Sequence, residues 1–154
     1  MFVSKSLDYA FRAMTYLATL DGGIKSVGMR EIAEAMEIPS HYLSKILRLL
    51  VKAELVQSDM GPGGGYSLLR PAHQITVADV YRAVEGSFQV VACTDGEHGC
   101  VHADNCSHVP IWTRIERDIL TLLEKTSLAE FIPAPATGVP RSFVALSDLL
   151  HTTG

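Results

Sequence analysis

The chain has 154 residues, 47 % of them apolar, a mean hydropathy of +0.19 and a net charge of −4. That length suits one domain, or one domain with an oligomerisation arm, and its apolar content leaves surface to bury between subunits. The acidic balance excludes a uniformly basic nucleic-acid coat, no stretch reads as a membrane span, and the N-terminus lacks a signal peptide's apolar core; the expected location is the cytoplasm, with no membrane partner.

The charge is unevenly placed. Residues 1–82 hold nine basic and eight acidic residues, a balance of +1, whereas residues 83–154 hold four and nine, a balance of −5. A local basic patch in the first half matters more than the global sum.

In chain order, Ser6 is placed to cap a first helix. Leu7, Ala10, Phe11, Met14, Leu17 and Ala18 form its apolar stripe, Asp8, Arg12, Thr15 and Thr19 lie opposite, and Gly22 and Gly23 end it. A short second helix turns Met29, Ile32, Ala33 and Met36 inward. Glu37, Ile38 and Pro39 break the chain, with Ser40 as the next cap before a third helix over 41–53. Leu55 and Val56 open a strand, the Gly61-Pro62-Gly63-Gly64-Gly65 loop turns it, and Tyr66, Leu68 and Leu69 return. Thr76 with Asp79 forms a capping-box signal for a fourth helix, with Val77, Val80, Tyr81 and Val84 inward and Gly86 as its stop. An irregular loop over 92–109 carries every cysteine. Pro110 then opens a long helix striped by Ile111, Ile115, Ile119, Leu122 and Leu123, followed by a short turn over 128–132 and a proline-rich tail.

Two helices, a tight turn and a glycine-rich hairpin form a winged helix-turn-helix pattern, a mainly α fold with a small β-hairpin wing. The third helix puts Leu43, Ile46, Leu47 and Leu50 on one face and His41, Ser44, Lys45, Arg48 and Lys52 on the other. A recognition helix needs that split, one face anchored and the other free to enter the major groove of double-stranded DNA. Gly63 and Gly64 let the wing bring backbone amides close to a phosphate. A winged helix used only for protein contacts is the competing reading. No phosphate-binding loop, nucleophile motif or acid–base pair points to an enzyme.

Cys93, Cys100 and Cys106 fall within fourteen residues, with gaps of six and five. No pair has the two-residue spacing of a disulfide oxidoreductase, and the short Cys pair of structural zinc sites is missing. Wider gaps let a loop wrap a larger object, and an iron–sulfur cluster held by thiolates fits. Three thiolates leave one position for an oxygen or nitrogen ligand. His98, His102 and His108 are the local candidates and Asp8 the distant one. A zinc-bound or metal-free thiol-responsive regulator remains the alternative.

These features resemble the IscR/NsrR/RirA family of iron–sulfur transcription regulators over roughly residues 1–132. The resemblance is carried by Ser4-Lys5-Ser6-Leu7-Asp8-Tyr9-Ala10, by Gly61-Pro62-Gly63-Gly64-Gly65-Tyr66, and by the three cysteines followed by Trp112. It implies a homodimer formed through the long helix, a promoter partner with an inverted-repeat operator, and a cluster near the partner's first helix. It divides the chain into a DNA-binding domain over 1–86, a cluster loop over 87–109, a dimerisation helix region over 110–132 and a tail over 133–154. In IscR-like members a histidine three residues past the last cysteine is the fourth ligand, and here that place is Val109. In NsrR-like members an aspartate of the first helix serves, and Asp8 falls there. The resemblance therefore implies a 4Fe–4S nitric-oxide sensor with Cys93, Cys100, Cys106 and Asp8 as ligands, ahead of a 2Fe–2S regulator. Many members carry an arginine before the wing's first glycine; this chain has Met60, preceded by Asp59.

Overall fold

A computed structural model describes residues 3–20, 25–61, 63–91 and 106–132. Five α-helices run in the order α1 (Lys5–Thr19), α2 (Met29–Ala35), α3 (Ser40–Lys52), α4 (Val77–Glu85) and α5 (Val109–Lys125). A hairpin of β1 (Val56–Asp59) and β2 (Gly65–Leu68) sits between α3 and α4. The architecture is mainly α with a β-hairpin wing, as the sequence pattern predicts.

Helix α1 begins two residues earlier than expected. Ser4 is the cap: its hydroxyl accepts from the Leu7 amide at 3.0 Å, and Ser6 lies inside the helix. Leu7, Ala10, Ala13, Met14, Leu17 and Ala18 are buried, and Phe11 only half-buried. Phe11 instead stacks on Phe131 at 5.1 Å. Gly22 and Gly23, expected to end α1, lie outside the described residues.

Neither α2 nor α3 ends on glycine. Glu37 and Glu54 follow the two helices in the left-handed region, with φ of 52° and 56°. The next residue closes the turn in each case, Ile38 N–H bonding the Ala33 carbonyl and Leu55 N–H the Leu50 carbonyl, both at 3.0 Å. This is the Schellman pattern, and the apolar residue past the turn, Ile38 or Leu55, is buried against the core. Ser40 does not cap α3: it is the first helical residue, Pro39 holds the cap position, and no side chain caps the end. Proline's fixed φ already suits that entry.

The core gathers α1, α2, α3, α4 and the inner end of the hairpin, including Met14, Leu17, Ile32, Leu43, Leu47, Leu50 and Val56, together with Leu128 of the short turn after α5. In the wing, Val56 pairs with Leu68, Gln57 with Ser67, Ser58 with Tyr66 and Asp59 with Gly65. Buried Ser67 is satisfied by the Gln57 amide, which donates at 3.0 Å. Val27 adds a one-residue bridge to Tyr66 through bonds of 2.8 and 2.9 Å. The close approach explains Gly65, where a Cβ would fall 2.4 Å from the Val27 carbonyl.

The capping box of α4 is present, with Thr76 and Asp79 reciprocally bonded. Ala78 and Val80 are buried, Val77, Tyr81 and Val84 half-buried, and Gly86 ends the helix with φ 86°. After α5 the chain returns to the start of α4, the Val77 amide bonding Thr126 O at 2.9 Å and the Leu128 amide bonding Ile75 O at 2.8 Å. Helix α5 has no fully buried residue: Ile115, Ile119 and Leu123 are half-buried, and Ile111 and Leu122 are exposed by 51 % and 64 %. Of the expected stripe, only part meets this chain.

Two substitutions test the backbone reading by chemical denaturation. Glu54→Gly should stabilise by up to about 1 kcal/mol, because the left-handed conformation penalises a Cβ. Gly65→Ala should destabilise by about 1–3 kcal/mol, the usual cost of forcing atoms into a packed contact. Equal small effects at both sites would contradict this account.

Candidate functional site

Burying Leu43, Ile46, Leu47 and Leu50 fixes the rotation of α3 about its axis. His41, Lys45, Arg48 and Lys52 are consequently exposed and Ser44 is half-buried, as the helical pattern predicts. The first turn of α3 carries no acidic residue, and Lys52 sits in its last turn, where the helix dipole favours a cation. The Ser44 hydroxyl donates to the His41 carbonyl at 3.2 Å. The exposed face is a cationic strip able to contact phosphates, with His41 and Ser44 at the helix end that reaches base edges in helix-turn-helix docking.

The wing stands beside this helix. Gly61 and Gly63 have φ of 105° and 85°, with open space where a Cβ would stand. Gly64 is glycine for a different reason: a Cβ there would lie 2.2 Å from the Asp59 carbonyl oxygen. The hairpin's own closure therefore requires Gly64, and its left-handed turn favours Gly63. Met60 is fully exposed at the wing.

Of the four expected metal ligands, Cys93 and Cys100 lie outside the described residues. Cys106 is free and half-buried, three residues before α5 begins. Asp8 lies in the first turn of α1 with 45 % of its side chain exposed, and pairs with Arg12 at 2.8 Å. Among the described residues no group of three His, Cys, Asp or Glu side chains converges on one point. His108, set aside as a ligand by its register, is the exposed residue just before α5.

Asp8 is also the first of a series of contacts that leads to the recognition helix. The Arg12 guanidinium lies over the Tyr9 ring, 5.8 Å from its centre. Tyr9 contacts Tyr42 at 6.0 Å, and Tyr42 contacts His41 at 4.4 Å between ring centres. Tyr42 is next to His41 in α3, so an acid of α1 and a candidate base-reading residue are joined through three intervening side chains. Asp8 and Arg12 also line a groove of about 500 Å³, together with Leu7, Phe11, Tyr81, Leu123 and Phe131. Burial pushes the Tyr81 phenol above its usual pKa, and the Glu85 charge adds to the effect, so that hydroxyl stays protonated.

The sequence profile of one family, described as iron-dependent transcriptional regulators, matches residues 3–134. The chain belongs to the Rrf2 family. It is 38 % identical over 124 residues to the HTH-type transcriptional regulator IscR of Sodalis glossinidius, covering 80 % of this chain and 74 % of that one. Its fold is similar to that of CymR, the global cysteine regulator of B. subtilis, with a TM-score of 0.68, 27 % identity and coverage of 85 % and 95 % of the two chains. The IscR of T. potens aligns with a TM-score of 0.64 at 30 % identity, over 85 % of each chain.

This Rrf2 chain is thus a winged-helix, DNA-binding transcriptional regulator and not an enzyme. Among its described residues no helix is long and apolar enough to cross a membrane. Three residues of the site were absent from the sequence reading as site residues: Arg12, Tyr9 and Tyr42. Arg12 had a signal, since Asp8 and Arg12 stand four apart on one helix face. The Tyr9–Tyr42 contact had none, because α1 and α3 meet only in the fold.

If the exposed face of α3 reads DNA, Lys45→Gln and Lys52→Gln should each weaken duplex binding. Each should also reduce the steepness of log affinity against log salt by about 0.9, the amount expected for one phosphate contact. Anisotropy titrations over a range of salt measure both quantities, and unchanged slopes would remove these lysines from the interface.

Proposed function

We propose that this regulator is a homodimeric repressor whose operator binding is controlled by an iron–sulfur cluster held on Cys93, Cys100, Cys106 and Asp8 of the second subunit. The observation that carries the proposal is the series Asp8, Arg12, Tyr9, Tyr42, His41, which links a candidate cluster ligand to the recognition helix.

The donor set suits such a group. Thiolates favour iron and sulfide, Cys106 is free, and the half-exposed Asp8 carboxylate is open to a ligand from outside its own chain. When bound, a cluster of this kind supplies a centre open to attack by nitric oxide or oxygen and to iron loss. Asp8 is held by Arg12 in a pair that, at this exposure, contributes only about 0.3–0.5 kcal/mol. So weak a pair is readily exchanged. An Arg12 without its carboxylate alters the charge beside Tyr9, and Tyr9 bears on Tyr42 in the first turn of α3.

The second subunit is supported by α5, whose outward residues Ile111, Trp112 and Leu122 are exposed on this chain, and by the apolar groove beside Asp8. Exposed apolar surface of this kind marks an interface. Two copies of α3 brought to successive major grooves read an inverted repeat, with half-sites about 34–36 Å apart or a multiple of that distance. A small change in their spacing weakens both contacts together.

A second reading, a thiol-responsive regulator without a cluster, is favoured by the likeness to CymR, whose fold this chain shares. Anaerobic purification decides between them. The cluster reading expects a coloured dimer with iron and sulfide, and a gel shift with its promoter DNA that nitric oxide abolishes. A colourless protein with the same gel shift before and after nitric oxide would sink it. Asp8→Ala should shorten the cluster's lifetime in air and change its spectrum, while leaving the unfolding free energy of the cluster-free protein within about 0.5 kcal/mol of wild type, as surface substitutions usually do.

A further inference from the structure

A recess of about 280 Å³ lies between α3 and the wing. On the helix side it is lined by Ser44, Arg48 and Val51, and on the hairpin side by Ser58 and Tyr66. Residues 44, 48 and 51 follow one another at helical spacing along a single flank of α3. Ser58 and Tyr66 are register partners across the antiparallel pair, so their side chains leave the same face of the hairpin. By strand alternation that is the face of Val56 and Leu68, which are buried in the core. The inner face of the wing therefore continues outward past the core and fronts α3. Gln57 and Asp59 fall on the opposite face, so the nearest hairpin carboxylate belongs to the other side of the sheet.

The recess gathers one guanidinium, two hydroxyls and a phenol, with Val51 as its apolar component and no acidic residue in its lining. Among the described residues Arg48 takes part in no ion pair. The Ser44 hydroxyl donates to the His41 carbonyl at 3.2 Å, a long bond that a hydroxyl rotation can exchange for another acceptor. Such a set of donors is complementary to a compact oxyanion.

We propose that this recess seats one backbone phosphate of duplex DNA, with Arg48 supplying the charge and Ser58, Tyr66 and Ser44 the hydroxyl contacts. The proposal rests on the assignment of α3 and the wing to DNA. Arginine, serine and tyrosine are the side chains that position a protein on phosphates without reading sequence. The site also answers a need particular to this chain. The residues leading into the wing turn are Asp59 and a fully exposed Met60, neither of them a cation. A charged contact beside the wing thus comes from its base, next to α3. A phosphate gripped from both elements fixes the helix and the wing in one register.

The test uses the full-length protein and two probes, a random-sequence duplex and a duplex from the region upstream of its own coding sequence. Arg48→Gln should weaken binding to both duplexes alike and reduce the salt slope by about 0.9. Ser58→Ala and Tyr66→Phe should each lower affinity by about two- to tenfold with the slope unchanged, as loss of a neutral hydrogen bond does. In the Arg48→Gln background, Ser58→Ala should cost less than it does alone, because the two act on one group. Unfolding midpoints within error of wild type confirm that the hydroxyl variants remain folded.

Wild-type affinity in Ser58→Ala and Tyr66→Phe would overturn the recess while leaving DNA binding by α3 intact. A loss in Arg48→Gln confined to one duplex would make Arg48 a base reader and overturn the phosphate assignment. Saturable displacement by inorganic phosphate at matched ionic strength would make the recess a free-anion site instead. No salt-dependent binding of either duplex by the wild type would overturn the DNA assignment itself, and the recess with it.

Discussion

Four side chains of α3 set the geometry of everything that follows. Leu43, Ile46, Leu47 and Leu50 are all buried, and each contributes about 1.5–3 kcal/mol by leaving water. Turning the helix by a single residue position would expose part of that stripe and drive Lys45 or Arg48 into the core, where an unpaired charge is far more costly than the lost apolar contact. The rotation of α3 is therefore settled by its apolar side, and the exposed cationic side is the consequence. The same stripe sets the exit of the chain. The Leu55 amide closes the turn onto the Leu50 carbonyl, Leu55 is itself buried, and the first strand of the wing starts at the next residue.

The wing, in turn, is held as part of the domain body. Val27 bridges to Tyr66 from the segment before α2, and the fit is so close that Gly65 has no room for a side chain. The glycines of this loop serve separate ends. Gly61 and Gly63 permit the turn, whereas Gly64 and Gly65 permit backbones to touch. A hairpin fixed at its base keeps its inner face directed at α3, so the helix and the hairpin form one continuous surface.

The fold is lopsided. Helices α1, α2 and α3 share a dense core, while α5 buries no residue fully and is joined to the rest through α4, the Arg82–Glu124 ion pair and the return of the chain to Ile75 and Thr76. A helix with an amphipathic pattern and an open apolar side is complete only against another surface. Asp8 lies on the side of α1 that borders the groove reaching Leu123 of that helix. Weak exposed pairs such as Asp8–Arg12 add little to stability.

Much of this was legible from periodicity alone. The split faces of α3, the hairpin, the Thr76–Asp79 capping box and the glycine stop at Gly86 all follow from spacing along the chain, because helices and strands repeat over a few residues and local chemistry decides their ends. Where two local signals compete, the sequence is less decisive. Ser4 and Ser6 both suit a cap, Ser40 reads as one and is not, and the left-handed Glu37 and Glu54 carry no glycine to announce them. Contacts between distant segments leave no such mark. The Tyr9–Tyr42 contact, the Val27 bridge that demands Gly65, and the recess shared by Arg48 and Ser58 exist only once α1, α3 and the hairpin are packed, since nothing in residue spacing records which faces will meet.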